Sequence, residues 1–184
     1  LELGGALVGA GRASEAVPHL AAAYDKGERT EVAGPLLVRA LVLDGRPDEA
    51  VDRLAAMPET VAGSGVENAL DFGTLALERG RAAEAGRWLQ LAVGRAPERA
   101  EAVEKLGLSF FLQHRAIDAL PLIEQACRLA PTSASAHLNL AAVYADLRRF
   151  TEARRQAEEA LRLDPSEVRA RELQRGLSSG NQEL

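Results

Sequence analysis

The sequence has one cysteine, few aromatic residues, almost no lysine, no excess of positive charge and no long apolar run. Cys127 is the only cysteine, so an internal disulfide is excluded. Aromatic residues make up 4% of the chain, and of 22 basic residues only Lys26 and Lys105 are lysines. A formal charge of −5 argues against a general attraction to nucleic acid or to anionic membranes. No apolar run reaches the roughly 18–20 residues that a membrane span needs.

The start of the sequence shows neither a secretory signal nor an initiating methionine. It opens at Leu1, and the first ten residues already follow the helical pattern described below. We therefore expect that the chain is a piece of a longer protein, whose missing part could hold a targeting signal or another domain. The bias towards alanine, arginine and glycine is compatible with a GC-rich bacterial genome. The compartment is left open.

The most informative feature that is present is an internal repeat. Five alanines recur at spacings of 34, 35, 34 and 34 residues, and each lies near the start of a similar helical segment. A self-similar period in the thirties is typical of stacked helical repeats. These five marker alanines are Ala16, Ala50, Ala85, Ala119 and Ala153.

Three further positions are in phase with the marker alanines. Twelve residues before each marker lies a smaller residue: Gly4, Val38, Gly73, Gly107 and Ala141. Five residues before it lies an expected turn: Gly11, Gly45, Gly80, His114 and Arg148. Four residues after it lies a larger apolar residue, with Ala157 as the exception: Leu20, Leu54, Leu89, Ile123 and Ala157. Residues three and four apart share one helical face, so the pattern predicts helix hairpins that approach closely at the small residue.

The last repeat, residues 134–165, resembles the tetratricopeptide repeat. It contains N-L-A-A-V-Y from Asn139 to Tyr144 and closes with L-D-P from Leu163 to Pro165. The third and fourth repeats match nearly as well, the second is degenerate and the first is truncated. The resemblance implies an all-α fold, a right-handed α-solenoid of antiparallel helix hairpins that acts as an interaction module rather than as an enzyme.

The period also predicts the organisation of the chain. We expect repeats at about 1–30, 31–65, 66–99, 100–133 and 134–164, with a C-terminal capping helix at 165–177 and a flexible tail at 178–184. Asp164 and Pro165 are typical of a helix start, as a capping carboxylate followed by proline. The irregular segment after Pro58 is a candidate hinge, or else a rigid turn, and Ser64 and Glu67 suggest a capping box that restarts the helix.

The residues that could take part in catalysis or bind a metal do not have the spacings that such sites require. His19, His114 and His137 have no i, i+3 or i, i+4 partner, and Cys127 follows Ala126 as a small packing residue within a helix. The two G-x-G patterns fall where the repeat needs turns. We therefore predict no catalytic residue, no cofactor and no metal.

The expected binding surface is the concave groove that the first helices line in tetratricopeptide arrays. The resemblance carries groove-facing positions over to Arg39, Val42, Leu70, Thr74, Leu77, Glu104, Leu108, Phe111, Leu112, Leu138, Asn139 and Ala142. The family's basic clamp for a C-terminal carboxylate is incomplete, because the chain has Asn139 and Lys105 without the remaining basic residues. The middle of the groove is apolar, with four glutamates nearby: Glu67, Glu78, Glu101 and Glu104.

This composition favours a protein or peptide partner with apolar anchors and basic flanks, such as an amphipathic helix. Alternatively, the same side chains only stiffen the array or pack on an absent N-terminal part. Two further functions stay open. The chain could be the regulatory or substrate-presenting arm of a larger enzyme, or an oligomer-forming component of a multiprotein complex.

Overall fold

The fold was obtained as a computed structural model, which describes residues 1–58, 60 and 65–179. These residues form eleven helices and no strand. The chain divides into two compact units, Leu1–Arg95 and Ala96–Leu184, which are called unit 1 and unit 2 below. The all-α prediction is confirmed, whereas the predicted repeat boundaries stay a prediction.

Unit 1 contains six helices in three successive hairpins. They are α1 (Glu2–Gly9), α2 (Ala13–Asp25), α3 (Thr30–Leu43), α4 (Pro47–Ala56), α5 (Val66–Glu78) and α6 (Ala82–Arg95). Helix α2 packs on α3 as well as on α1, and α5 packs most extensively on α6. The candidate hinge and capping box fall on residues 59 and 61–64, which lie outside the described residues.

Unit 2 contains two hairpins and a final helix. The helices are α7 (Ala100–Leu112), α8 (Ala116–Leu129), α9 (Ala134–Asp146), α10 (Phe150–Leu163) and α11 (Val168–Ser179). Helix α11 packs on α9 and α10 through Ala170, Leu173 and Leu177. The role of α11 as a cap stays a prediction. Residues 178 and 179 of the expected tail at 178–184 belong to α11, and the rest of that tail lies outside the described residues.

The predicted start of the last helix is wrong by three residues. The carboxylate of Asp164 accepts hydrogen bonds from the amide (2.9 Å) and the hydroxyl (2.6 Å) of Ser166, so it closes a turn before the helix. These bonds also hold the pKa of Asp164 below its usual value. Glu167 then accepts from the amide of Arg169 (3.2 Å), and α11 begins at Val168. The capping carboxylate is therefore Glu167 rather than Asp164.

In the first, third and fourth repeats, the glycine at the small position faces the large residue across the hairpin. A methyl group added at Gly73 would lie 2.4 Å from Leu89 Cγ, and one added at Gly107 would lie 2.5 Å from Ile123 Cδ1. In the last repeat, alanines occupy both positions, Ala141 and Ala157. The exception at Ala157 is thus a volume compensation, because a larger residue at the glycine position is matched by a smaller one opposite.

The second repeat does not compensate in this way. Val38 occupies the glycine position while Leu54 keeps the large one, and both side chains are buried. Helix α4 has 10 residues where α6 has 14, and α3 packs less extensively on α4 than α5 does on α6. The second hairpin is therefore more loosely built than the third.

The five expected turn positions do lie in the hairpin turns, and each of them adopts the left-handed backbone region. Gly11, Gly45 and Gly80 have φ of 73°, 75° and 71°, and His114 and Arg148 adopt 59° and 60° at the same repeat position. Glycine enters this region without the steric cost of a Cβ atom. The two hairpin turns of unit 2 that lack glycine are therefore strained relative to the three of unit 1.

Relieving this strain is expected to stabilise the protein. His114→Gly and Arg148→Gly should each raise the free energy of unfolding by about 0.5–1 kcal/mol, because glycine tolerates positive φ and commonly closes helices. Denaturant unfolding followed by circular dichroism measures the change. Gly80→Ala, the reverse change at the same repeat position, should lower stability. Equal stability of all three variants and the parent chain would show that the turns are unstrained.

Candidate functional site

A cavity lies between α3 and α5 in unit 1, with a volume of about 800 Å³. Six apolar side chains that are half-buried or buried form its floor: Val32, Pro35, Leu36, Val38, Phe72 and Leu75. At its edge, Val42 and Leu43 from the end of α3 are 40% and 57% exposed. We call this cavity the α3–α5 groove. It is the size of pockets that hold small ligands or several side chains of a partner.

The charged lining of the groove is mainly acidic. Glu31, Asp71 and Glu78 contribute carboxylates, and Arg39 contributes the single basic side chain. All four side chains are exposed at the rim. An apolar floor below a rim of net negative charge attracts ligands that combine apolar and basic groups.

The groove is open at a place where the corresponding helices of unit 2 are bridged. In unit 2, Asn139 of α9 donates a hydrogen bond of 2.9 Å to Glu104 of α7. Counted from the marker alanines, Pro35 corresponds to Glu104 and Asp71 corresponds to Asn139. Proline has no side-chain hydrogen-bonding group, so this bridge cannot form between α3 and α5.

As a result, the Asp71 carboxylate lacks a partner of the kind that Asn139 has in Glu104. Within the described residues, the Asp71 carboxylate makes no side-chain hydrogen bond and no ion pair. Pro35 also lacks an amide hydrogen, which leaves the carbonyl of Glu31 without its helical donor. The Asp71 carboxylate and the Glu31 carbonyl both belong to residues that line the groove. Proline at position 35 therefore leaves two hydrogen-bond accepting groups available to a ligand.

The floor of the groove is connected to the only tryptophan of the chain. Phe72 contacts Trp88 edge-to-face, with ring centroids 5.5 Å apart at 78°. Trp88 is fully buried. Arg87 stacks over the Trp88 ring at 4.8 Å and donates to the carbonyls of Leu54 (2.5 Å) and Ala55 (3.2 Å), which fixes α6 against the end of α4. A ligand that moves Phe72 is therefore expected to change the fluorescence of Trp88.

The sequence matches models of one repeat family over more than half its length. Models of the tetratricopeptide repeat match residues 70–134 and residues 134–167 of the 184-residue chain. The chain belongs to the tetratricopeptide repeat family. Proteins built from these repeats are generally non-catalytic interaction modules. No curated protein matches the sequence.

Solved structures share the tetratricopeptide solenoid fold. YrrB, described as a tetratricopeptide repeat protein with an unusual peptide-binding site, has a TM-score of 0.78 at 18% identity, covering 95% of this chain and 89% of its own. MamA (AMB-1) has a TM-score of 0.70 at 24% identity, covering 89% and 96%. The first tetratricopeptide domain of Spaghetti (RPAP3), bound to an HSP90 peptide, has a TM-score of 0.61 at 18% identity, covering 64% and 94%. At these identities the likeness establishes the fold alone.

In unit 1, the tetratricopeptide structure brings together three of the five expected groove positions. Arg39, Val42 and Thr74 line the α3–α5 groove. Leu77 is half-buried outside its lining, and Leu70 is buried at 3% exposure. The open face of α5 is thus displaced by one residue from the expected face, because the groove opens on the side that faces α3. Leu70 is therefore not part of the α3–α5 groove.

In unit 2, the expected positions differ in burial and in the contacts that they make. Leu138 is buried at 5% exposure, and Phe111 is half-buried against a cluster that includes Leu140 and Tyr144. Asn139 is bonded to Glu104. Of the remaining positions, Leu112 is 48% exposed, and two are half-buried, Leu108 and Ala142.

Sequence reasoning missed the residues that distinguish the groove. Asp71, Leu75 and Pro35 line it but were not among the expected positions. Pro35 could have indicated this site from the sequence, since it interrupts the second repeat at the position that Glu104 occupies in the fourth. Its consequence for Asp71 depends on which helices are neighbours, and the fold supplies that information.

The described residues contain no group of three or more histidine, cysteine or acidic side chains that could hold a metal.

Cys127 is half-buried on α8, and burial together with the charges of Glu104 and Glu124 raises its pKa to about 11. The thiol is therefore protonated at neutral pH, which is the opposite of what a nucleophilic cysteine requires. In the part of the chain that the structure describes, no helix has the length and hydropathy needed to cross a bilayer.

Proposed function

We propose that the chain is a non-catalytic interaction scaffold that binds an amphipathic helical segment with basic flanks in the α3–α5 groove. The composition of the groove carries the proposal, since apolar side chains form its floor and three carboxylates stand against one guanidinium at its rim. Binding in such a groove buries apolar side chains of the ligand while the rim charges select basic residues beside them.

Two further observations support a peptide ligand. The family is generally one of interaction modules, and two proteins of the same fold are described with a peptide-binding site or with a bound HSP90 peptide. The exposed pair Val42 and Leu43 extends the apolar floor to the surface, where a partner can reach it.

The proposal is tested by selecting ligands from a displayed library of helical peptides against the full chain. The selected peptides are then measured against two variants, Val42→Asp in the groove and Ile117→Asp on α8. Ile117 is 79% exposed and does not line the groove, so it is a matched control for an added charge at an exposed apolar site.

We expect Val42→Asp to weaken binding at least tenfold, because it places a charge on the apolar edge that the ligand covers. Ile117→Asp should leave the affinity unchanged. Circular dichroism shows whether both variants keep their helical content. A selection that yields no peptide, or peptides that bind both variants like the parent chain, would overturn the proposed site.

A further inference from the structure

We propose that the bound helix carries two basic residues seven positions apart, which pair with Asp71 and Glu78, and two large aliphatic residues between them, which pack on Leu75. This rests on the proposed function and specifies the ligand of the same groove. In one-letter form the pattern is basic-x-x-aliphatic-aliphatic-x-x-basic.

The spacing follows from the exposed face of α5. Asp71, Leu75 and Glu78 line the groove at intervals of four and three residues, so they lie on one face of the helix. Asp71 and Glu78 are seven residues apart, which is two turns and a rise of about 10.5 Å. The exposed face of α5 therefore presents an acidic side chain, the apolar side chain of Leu75 and a second acidic side chain in a line.

A helical ligand matches this line and an extended ligand does not. In a helix beside α5, residues seven apart have the same rise of about 10.5 Å and lie on one face, with residues i+3 and i+4 between them. In an extended strand, a separation of about 10 Å corresponds to three residues, whose side chains point to opposite faces. Both basic residues can thus reach α5 at once only from a helix.

The two acids are suited to receive external cations. Asp71 makes no side-chain hydrogen bond or ion pair within the described residues, because Pro35 replaces its potential partner. Glu78 is the last residue of α5, where the partial negative charge of the helix end also favours cations. The adjacent Arg79 is engaged elsewhere, with bonds of 2.7 and 2.8 Å to Asp48.

The opposite wall limits where the ligand can be basic. Arg39 on α3 is the only basic side chain among the lining residues, and it repels a basic residue on the ligand edge that faces α3. The ligand is therefore basic along the edge that faces α5 and not around its whole circumference. A uniformly basic helix meets repulsion from Arg39 and fits less well.

The test uses two synthetic helical peptides of identical composition. One has its basic residues at i and i+7 around the aliphatic pair, and the other has the second basic residue moved to i+5. Trp88 fluorescence and isothermal titration measure their affinities for the full chain. We expect the i, i+7 peptide to bind at least tenfold tighter, and the difference should shrink as salt screens the rim charges.

A charge exchange tests which residues make the pairs. The double variant Asp71→Lys/Glu78→Lys should lose the basic peptide and gain at least tenfold in affinity for a peptide with glutamates at i and i+7. Both positions are exposed. If the lysine variant does not fold, the neutral double variant Asp71→Asn/Glu78→Gln replaces it, and its affinity for the basic peptide should be lower than that of the parent chain.

The outcomes separate the two proposals. Equal affinity for the two spacings, or no exchange of preference in the charge variants, would overturn the i, i+7 pattern. If library-selected peptides still bind Val42→Asp more weakly than the parent chain, the α3–α5 groove would remain the binding site although the i, i+7 pattern is wrong. Absence of any peptide that depends on Val42 would overturn both.

Discussion

Gly73→Ala is expected to lower the free energy of unfolding by about 1–3 kcal/mol, although alanine favours helices over glycine. The added methyl group would lie 2.4 Å from Leu89 Cγ and 2.7 Å from its Cδ2. Leu89 is fully buried, so it cannot move aside into solvent. Denaturant unfolding followed by circular dichroism measures the effect.

A second glycine in the same unit provides the control. Gly94 lies in α6 with no atom within 4 Å of an added Cβ, so Gly94→Ala should raise stability by about 0.5–1 kcal/mol. The two identical substitutions are thus expected to have opposite signs. If both stabilised the protein equally, the close contact between α5 and α6 at Gly73 would be contradicted.

The effect of Gly73→Ala on the free energy of unfolding should also change sign when the side chain of Leu89 is removed. Leu89→Ala alone is expected to cost about 2–5 kcal/mol, because it leaves a cavity at a buried site. In the Leu89→Ala background, Gly73→Ala should stabilise the protein, since the new methyl group fills part of that cavity. A double-mutant cycle measures this coupling. Additive effects would show that the two positions do not meet.

The regular part of the fold could be predicted from the sequence because it depends on local periodicity. The five turn positions, from Gly11 to Arg148, all lie in hairpin turns as the pattern predicts, and the structure adds that all have positive φ. The opposed small and large positions, such as Gly73 and Leu89, meet as expected. The start of α11 was predicted wrongly because Asp164 and Glu167 both suit a helix start, and their hydrogen bonds decide between them.

The candidate site was less predictable because it arises where the repeat is irregular. Carrying family positions over placed Leu70 in the groove, whereas the neighbouring Asp71 lines it and Leu70 is buried. A shift of one residue rotates a helical face by about 100°, so a transferred position that is wrong by one residue selects a different face of the helix. Periodicity describes the average repeat and not this departure from it.

Pro35→Gln is expected to make the protein more stable and, at the same time, a weaker binder. Proline in a helix interior removes a backbone hydrogen bond, so its replacement in α3 should raise the free energy of unfolding by about 1–3 kcal/mol. The introduced glutamine can donate to Asp71, in the manner of the Asn139–Glu104 bridge between α7 and α9. That bond would engage the carboxylate that the ligand needs.

The loss of a charge-assisted hydrogen bond costs about 1.5–3 kcal/mol, which corresponds to a loss of affinity of about ten- to a hundredfold. Because the variant gains stability, partial unfolding cannot explain weaker binding. Pro121→Gln is the matched control. Pro121 is also the sixth residue of its helix, α8, and lies outside the groove, so this change should alter stability without altering affinity.

Binding at the opening beside Pro35 is tested most directly by the affinity of the i, i+7 basic peptide for the parent chain and for Pro35→Gln under identical salt conditions. Isothermal titration should show at least tenfold weaker binding to Pro35→Gln, together with a higher free energy of unfolding for that variant. Equal affinities for the two proteins would contradict the claim that the opening beside Pro35 is the site where the partner binds.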